Sequence, residues 1–444
     1  MPIYPIIFII IFVIGAIAAL VKGPIYGLML YVFVYYNIPK FHWWGGYIPD
    51  LRWSLTTVGI LLFSCFIHYK QLEPHKSSMN APLKVLIVLL FLMAAIIPIS
   101  YDSEISFNRV YDFFRYVLMF YIIGRIITDF EKFQHLVLII IICSIHLFWT
   151  AHYYFDGNRL DGVGLPDASD ANFFAILIII IIPLIVALLL TGKTWQKIIA
   201  IAGLPLAINA FAMTRSRGPF IGLLVQLIMA IILFRNSKYR IKIFSGVICV
   251  IVLFGILMDD QFIARLQNMK DDVTQGESSR ASAGRMDVWK YGFQMFRDYP
   301  LGAGGGSFMA LSPTYLPEEM LIRKSGQKAS HNTYLLILVE QGVVGLIIYF
   351  VFMFFTIYTA FKILAKESTI ENKTEVSTVY FYATMLIIIL CGFWTASFFG
   401  DRLYFEGFYL IAALVPVLHR INRRSSKNYN IEQNTDQFKI IADK

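Results

Sequence analysis

Apolar stretches of about 18 residues or more recur along the whole sequence, and they restrict the possible folds more than any other feature. Each is long enough to cross a hydrocarbon core ~30 Å thick as a helix. Lipid offers the main chain no hydrogen bonds, so a spanning segment must satisfy its own N–H and C=O groups. The sequence therefore predicts an all-α polytopic membrane protein. We predict thirteen spans, near residues 4–21, 25–38, 52–69, 82–99, 113–130, 134–153, 172–191, 196–213, 218–234, 241–258, 332–363, 376–398 and 403–419.

Twelve spans remain an alternative, because the first two apolar runs are short and the last begins with charged residues. The composition agrees with the membrane class: 58% of the 444 residues are hydrophobic and 15% are charged, against about 25% charged residues in a soluble protein. The net charge of +9 comes from basic residues in short loops between apolar runs, where they orient a membrane protein. We therefore predict membrane lipids, and no nucleic acid, as partners.

The chain divides into four predicted parts: transmembrane helices over 1–258, a large outer loop with short helices over 259–331, transmembrane helices over 332–420, and a polar, disordered tail over 421–444. The first apolar run has no preceding charge and no clear small-residue cleavage site, so we expect a retained helix. The cysteines lie inside apolar runs, which makes disulfides unlikely to form, and no Cys/His spacing typical of a metal site occurs.

The connecting loops alternate in charge along the chain. Every second loop is rich in lysine and arginine, with dense clusters near 70–84, 193–197, 235–242 and 362–373 and in the tail. The positive-inside rule places these loops and the C-terminus in the cytoplasm. The remaining loops then face outward, together with the long segment 259–331. With thirteen spans the N-terminus is external; with twelve its side stays open.

Arg215 and Arg217 lie at the junction of two apolar runs, in "TRSRGPF", on the predicted outer face. They could be interfacial arginines that anchor helix ends. A charged side chain at membrane depth is costly unless it is paired or near the interface. The positive-inside rule also disfavours arginines on the outer face, so their presence there favours a specific role. An anion site fits this role, since guanidinium groups match phosphate oxygens in a bidentate way. Gly218 and Pro219 open the next helix, whose N-terminal N–H groups also favour an anion.

A second cationic pair, Arg280 and Arg285, lies in "SSRASAGRMDVW". Both could be solvated surface residues. An arginine at a helix N-terminus opposes the macrodipole, which gives Arg285 a mild reason for another role. The apolar residues that follow recur at helical spacing and predict a helix: Met286, Trp289, Phe293 and Phe296.

His331 and Asn332 stand at the head of the apolar run "HNTYLLILVEQGVVGLIIYF". A histidine there is commonly a capping or interfacial residue. Its alternative role is a general base, because an ordinary imidazole accepts a proton near neutral pH. After a gap of nine residues from Asn332, Gly342 and Gly345 form a Gly-x-x-Gly step, which we expect to let another helix approach closely.

Two further outer loops contain polar and aromatic side chains. "NRLDGVGLPDASDAN" includes Arg159, and its carboxylates could bind sugar hydroxyls or a metal, or form a plain turn in which Asp170 caps the next helix. The early "HWW" at His42 to Trp44 is typical of an interfacial aromatic belt.

Three segments, "TRSRGPFIGLL", "GRMDVWKYGFQMFRDYPLGAGGGSF" and "HNTYLLILVEQGVVGL", together resemble the O-antigen ligase and polymerase superfamily of bacterial membrane glycosyltransferases. The His-Asn, nine-residue gap and Gly-x-x-Gly match the ligase signature at every fixed position. The resemblance covers roughly residues 155–400. The early "GPIYGLMLYVFVYYNIPKFHW" is also similar to a subgroup of O-glycosylation ligases.

The resemblance implies a GT-C-like bundle in the bacterial inner membrane and metal-independent, cofactor-free transfer of a glycan from undecaprenyl pyrophosphate at the periplasmic face. Carried over by motif, the catalytic residues are His331, Arg217 and Arg285. Supporting residues for the pyrophosphate or glycan are Arg215, Arg280, Arg159 and Asn332. The acceptor is lipid A-core, a protein or a second lipid-linked glycan.

Two alternatives stay open. A polymerase shares the fold and the arginines but joins a growing chain to another lipid-linked repeat unit. A transporter or flippase would handle the same lipid, although its ion and substrate sites lie near the midplane between paired broken helices, a repeat that this sequence does not show.

Overall fold

The structure is a computed structural model that describes residues 2–160, 162–165, 170–257, 263, 283–322, 325–365 and 375–425, with the main chain alone at 283–285 and 375–377. Helices make up most of it. We number them α1 (Ile3–Val21), α2 (Pro24–Tyr36), α3 (Trp53–Ile67), α4 (Ala81–Ile96), α5 (Ser103–Ile126), α6 (Phe130–Tyr154), α7 (Ala171–Thr191), α8 (Thr194–Thr214), α9 (Arg217–Phe234), α10 (Arg240–Leu257), α11 (Ala283–Asp298), α12 (Ser307–Tyr315), α13 (Thr333–Leu364), α14 (Glu375–Ala396), α15 (Glu406–Ala412) and α16 (414–425).

Among the described residues, nine helices are long and apolar enough to cross a membrane, and no strand occurs. The all-α polytopic fold predicted from the apolar runs is thereby confirmed. Each of the thirteen predicted spans overlaps a helix, and the last overlaps two. Four of them do not meet the requirement for length and apolarity: α2 and α3 are short, α5 carries several charges, and the last span is divided between α15 and α16.

Side-chain caps set the start of several helices. Asn80, Asp102, Asp129, Asp170 and Asn332 each accept hydrogen bonds from main-chain N–H groups in the first turn of the helix that follows. Such a cap satisfies a donor that has no partner inside the helix and contributes about 1 kcal/mol. The structure thus confirms the capping alternative for Asp170.

The centre of the bundle is formed by α7 and α14, the two most buried of the spanning helices. Glycines let α9 approach α14 closely: a side chain at Gly222 would lie 2.7 Å from the carbonyl oxygen of Gly392. Small residues at such a crossing increase van der Waals contact between helices in lipid. This packing fixes the N-terminus of α9 against the connection that follows α14.

The order of the helices brings one set of loops to one end of the bundle, which we call the site face. It comprises the loops α2–α3, α4–α5, α6–α7, α8–α9 and α14–α15, and the segment that leads into α13. Hydrogen bonds between Tyr101 N and Ala303 O (2.8 Å) and between Leu160 N and Met213 O (3.1 Å) join these loops. The other end, the opposite face, carries the loops rich in lysine and arginine.

Helix α13 is broken at Gly342, whose φ of 66° and ψ of −175° lie outside the helical region. Beside the break, Ala303 N and Gly304 N donate to the carbonyls of Val339 and Glu340, both at 2.9 Å. These bonds satisfy carbonyls that a helix end leaves without partners. The nine residues of α13 before Gly342 are thereby held by the glycine-rich segment that precedes α12.

This geometry corrects one expectation for the Gly-x-x-Gly step. A Cβ at Gly342 would lie 2.7 Å from the main chain of Leu301 and from the carbonyl oxygen of Pro300, so this glycine accommodates a loop and not a helix. Gly345 does face a neighbouring helix, since its nearest neighbour outside α13 is Leu92 of α4 at 3.5 Å.

Helix α11 forms where the apolar spacing predicts it. Val288 and Met295 are fully buried, Trp289 and Phe296 are partly buried against the core, and Met286 and Phe293 are largely exposed. Gly292, on the buried side, approaches Leu335 of α13 and Phe308 of α12. At the other end of the chain, α16 continues to residue 425, beyond the predicted start of the tail at 421.

Candidate active site

The His331 turn, residues 330–332, directly precedes α13 and is tied down on both sides. The side chain of Asn332 accepts from Tyr334 N at 3.0 Å and from Leu335 N at 3.2 Å, which caps the helix. Trp289 of α11 donates its indole N–H to the carbonyl of Ser330 at 3.1 Å. The position of the histidine is therefore set by two helices.

Asp401, in the α14–α15 loop, holds the same turn. Its Oδ1 accepts from the hydroxyl of Ser330 and, at 3.0 Å, from the main-chain N–H of Asn332. Thr333 extends the contact, since its hydroxyl donates to the carbonyl of Gly400 at 2.6 Å and accepts from Arg402 N at 2.8 Å. Four hydrogen bonds thus join the head of α13 to residues 400–402.

His331 has a left-handed main chain, with φ of 50°. Among the described residues other than glycine, only Arg52 and Arg215 share a positive φ. For such residues this conformation is uncommon and can cost ~1–3 kcal/mol, so it persists where the surroundings enforce it. Two of the residues predicted for the site therefore occupy strained positions at helix ends.

The arginine turn, residues 214–217, joins α8 to α9. Arg215 is buried, donates from Nη2 to the carbonyl of Gly157 at 3.0 Å, and lies 5.8 Å from the ring of Phe155. Arg217 is half-buried and is the first residue of α9. Asp156 lies on the same loop as Gly157, and its pKa is lowered because the main-chain and side-chain amides of Asn158 donate to its carboxylate.

Arg159 holds the arginine turn from the α6–α7 loop. Its Nε donates to the carbonyl of Thr214 at 3.2 Å, and its Nη2 is 3.5 Å from the hydroxyl of Ser216. Both acceptors are neutral. They orient the guanidinium without cancelling its charge.

The α14–α15 loop brings the two turns together. A side chain at Gly218, next to Arg217, would collide with Phe399. Two residues later, Asp401 binds the His331 turn. The neighbours of Arg217 and His331 in the sequence therefore contact the two ends of the three-residue stretch 399–401.

Arg402 belongs to this region and was missed in the sequence. It is 1% exposed, and its guanidinium lies 3.5 Å from the centre of the Phe173 ring, a cation–π contact in α7. The charged residues of "FFGDRL" were interpreted only as the head of the last span. An Asp-Arg pair beside an apolar run on the outer face was the signal that could have found both Asp401 and Arg402.

Arg285 and Arg280 are not located to the same degree. The main chain of Arg285 lies in the first turn of α11, as predicted, and α11 packs against α13. Its side chain and all of Arg280 lie outside the described residues. Their roles stay predictions.

The described residues include no group of three or more His, Cys, Asp or Glu side chains placed to hold a metal ion. The cationic side chains at the site face are the prominent feature instead. Guanidinium groups near a strained histidine can bind an anion and stabilise negative charge that grows on it.

Comparison with known families supports a functional role for this region of the chain. Residues 201–350 match the family model described as O-antigen ligase. This segment is O-antigen ligase-like. The match begins within α8 and ends within α13, so the ligase-like segment contains both the arginine turn and the His331 turn. No curated protein matches the chain.

The family match confirms the resemblance carried by the three sequence segments and supports a ligase- or polymerase-type glycosyltransferase in general. The O-antigen ligase-like segment also includes Gly342 and the glycine-rich residues 302–306 that pack against it. The α14–α15 loop, which joins the two turns, lies outside the matched residues.

Proposed function

We propose that the protein is an inverting glycosyltransferase that moves a glycan from undecaprenyl pyrophosphate to a hydroxyl of an acceptor, at the periplasmic face of the bacterial inner membrane. The observation that carries the proposal is that Gly218, next to Arg217, and Asn332, next to His331, both contact one short stretch, 399–401. The family match to O-antigen ligase agrees with this chemistry. A GT-C-like arrangement of the helices is part of the proposal.

Arg217 is the proposed contact for the pyrophosphate. It opens α9, where main-chain N–H groups without helical partners add to the positive potential. The glycosyl bond breaks with a growing negative charge on the pyrophosphate, and a fixed guanidinium stabilises that charge. Arg285 and Arg280, from the segment before and within α11, complete the proposed anion site.

Arg215 and Arg159 have a different proposed contribution. Their guanidinium groups donate to carbonyl oxygens of the α6–α7 loop and of the arginine turn itself. Because they hold the main chain that presents Arg217, we assign them mainly to positioning, with their charges adding to the field around the anion.

His331 is the proposed general base. Its imidazole takes the proton from the acceptor hydroxyl, whose oxygen forms a bond to the anomeric carbon as the bond to the pyrophosphate breaks on the opposite side. One displacement inverts the anomeric configuration. The leaving pyrophosphate keeps the electron pair of the broken bond, so the donor side needs no acid. Asn332 and Asp401 fix the turn in which the histidine stands.

The experiment is transfer in vitro with the purified full-length chain and a defined undecaprenyl-pyrophosphate glycan. Lipid A-core, an acceptor protein and a second lipid-linked repeat unit are supplied separately, with and without chelator. We expect product with one acceptor, an unchanged rate in chelator, and inversion at the anomeric carbon. Product with the second lipid-linked unit alone identifies a polymerase, and product with the protein alone identifies a protein O-glycosylation ligase.

His331→Ala is the decisive variant, and His135→Ala, an exposed histidine of α6 near the opposite face, is its control. We expect His331→Ala to lower the transfer rate by ~10²–10⁴-fold, the usual contribution of a general base. Transfer at the wild-type rate by His331→Ala would contradict the proposed mechanism. Loss of activity in chelator would contradict metal independence.

A further inference from the structure

A cavity of about 390 Å³ opens near the site face, outside the residues proposed for catalysis. Its walls come from the start of α1, the α2–α3 loop and the last turns of α6. This volume is in the range of ~300–1,000 Å³ typical of small-molecule sites. The lining residues are Tyr4, His42, Trp43, Trp44, His146, Thr150, Tyr153 and Tyr154.

The aromatic side chains here form a concave wall and not only a belt that faces lipid. Trp44 is 4% exposed and lies parallel to His42, with ring centres 5.4 Å apart, while its other contacts reach the core at Phe8. Trp43 and Tyr4 meet edge to face at 5.7 Å, and Trp43 is 60% exposed. The expected interfacial belt thus provides two buried rings, His42 and Trp44, and one accessible ring, Trp43.

Polar groups extend into the membrane along α6. His146 lies eight residues before the end of the helix, about 12 Å lower at 1.5 Å per residue. An ionisable side chain at such depth commonly faces a cavity and marks a functional site. The hydroxyl of Tyr154 lies beside the main chain of Trp43 without the geometry of a hydrogen bond, so it remains able to donate to a ligand.

The cavity carries no charge that would select an anion. None of the lining residues is Lys, Arg, Asp or Glu. Burial lowers the pKa of His42 to about 4, although its contact with the carbonyl of Tyr36 acts in the other direction, so this imidazole is neutral at physiological pH. A phosphate-bearing headgroup or a pyrophosphate would lack a cationic partner here.

A sugar ring fits this chemistry. The C–H face of a pyranose packs flat on an aromatic ring, and its hydroxyls bond to hydroxyl and imidazole groups at the edges. The α6–α7 loop connects the cavity to the arginine turn. A side chain at Gly164 would lie 2.7 Å from the imidazole of His42, and Leu160 of the same loop bonds to Met213 next to that turn.

We propose that this cavity binds an uncharged sugar residue of the transferred glycan, remote from the pyrophosphate. The proposal rests on the proposed function for the identity of the glycan. It assigns recognition of the glycan chain to the N-terminal helices, and it leaves the pyrophosphate to the arginines. Binding remote from the reacting bond lowers KM when it is equal in ground and transition states.

Equilibrium binding of the free glycan tests this inference. The probe is the phosphate-free glycan that mild acid releases from the native lipid-linked donor, and the protein is full-length His331→Ala, in which transfer is absent under the proposed mechanism. Trp43→Ala and Tyr153→Ala remove exposed rings that line the cavity. Their matched controls are Tyr47→Ala, an exposed ring of the same loop, and Trp149→Ala, an exposed ring elsewhere on α6.

We expect each cavity variant to weaken glycan binding about tenfold, equivalent to ~1.4 kcal/mol, and each control to change it by less than about twofold. Trp43→Phe should restore most of the affinity. In the enzyme with His331 intact, Trp43→Ala should raise KM for the donor with little change in kcat.

Wild-type affinity in both cavity variants, no binding of the glycan, or competition by glycerol phosphate would each overturn the proposal. The outcome is separable from the proposed function. If His331→Ala transfers glycan normally, the mechanism fails while the binding measurement still reports on the cavity. If the cavity variants bind normally while His331→Ala is inactive, the cavity proposal alone fails.

Discussion

The two ends of the helical bundle use arginine in different ways. At the opposite face, Glu73 is 2% exposed. Nη1 and Nη2 of Arg424 both donate to its carboxylate, with the Nη2–Oε2 distance at 2.8 Å. Arg420 is a second cation beside this carboxylate, with its Nε 3.9 Å from Oε1 of Glu73. A buried carboxylate needs such partners, because an isolated buried charge is strongly destabilising.

At the site face, Arg109 and Arg115 pair with Asp112, and guanidinium groups around the two turns also contact neutral oxygens and an aromatic ring. Arg159 and Arg215 donate to carbonyls, and Arg402 lies over a phenylalanine ring. The carboxylate of Asp401 accepts from neutral donors of the His331 turn. Neutral contacts fix a cation in place and keep its charge, whereas a carboxylate cancels it. The opposite face thus holds its arginines on a buried carboxylate, whereas Arg159 and Arg215 at the site face hold main-chain carbonyls beside the proposed anion site.

Arg217→Ala should give the largest effect. Removing a fixed cation from a developing negative charge should lower kcat/KM about 10³-fold, and Arg217→Lys should lose less, because lysine keeps the charge and loses the bidentate geometry. Steady-state transfer by purified variants measures this. Arg235→Ala, at the other end of α9, is the control. Equal losses in Arg217→Ala and Arg235→Ala would remove the contrast between the two faces.

Asp401→Ala should lower kcat about 10²-fold, because a small displacement of a catalytic group is costly. Asp401→Asn keeps one oxygen acceptor and should recover most of the rate. The control is Asp129→Ala, which removes a helix cap at the opposite face and should cost about 1 kcal/mol of stability with normal transfer. A normal rate in Asp401→Ala would show that the α14–α15 loop does not position His331.

Gly342→Ala tests whether the main chain of the site face is strained. A side chain is disfavoured at this φ and ψ and would press on Leu301, so we expect roughly 3 kcal/mol of destabilisation. Thermal unfolding in detergent measures it. Gly246→Ala in α10 meets no atom within 4 Å and should be neutral or slightly stabilising. Similar unfolding temperatures for the two variants would argue against the break in α13.

Arg424→Ala should have the smallest effect, a loss of ~1–2 kcal/mol in stability, because Arg424 is half-exposed and Arg420 still faces Glu73. Activity per folded molecule should stay at the wild-type level. Arg423→Ala, a charged neighbour on the same helix, is the control and should unfold like the wild type. A drop in transfer without a drop in unfolding temperature would assign the opposite face a role in catalysis.

The positions of the helices could be predicted from the sequence because hydrophobic length is a local property. Each of the thirteen predicted spans overlaps a helix, and the caps at Asp170 and Asn332 also follow from local spacing. That Arg217 and His331 share the site face was expected only from the charge pattern of the loops and from the family resemblance.

What the sequence could not show depends on contacts between distant segments. A glycine inside an apolar run is compatible with a continuous helix, so the break at Gly342 required the partner segment 300–304 to be visible. The helical spacing of α11 does not show that Val288 and Met295 are buried while Met286 and Phe293 are exposed, because burial depends on neighbours that the local pattern does not specify. Asp401 was missed because its partners are about 70 residues away.

The break in α13 has a mechanical consequence. The part after Gly342 has 22 residues to Leu364, about 33 Å of helix, enough to span a bilayer alone. Helices respond to a thicker or thinner bilayer by changing their tilt. The nine residues before Gly342 are hydrogen-bonded to the α14–α15 loop and to the glycine-rich segment. We therefore expect a change of tilt to bend the main chain at Gly342. The distance between His331 and the arginine turn is then insulated from the thickness of the lipid around the protein.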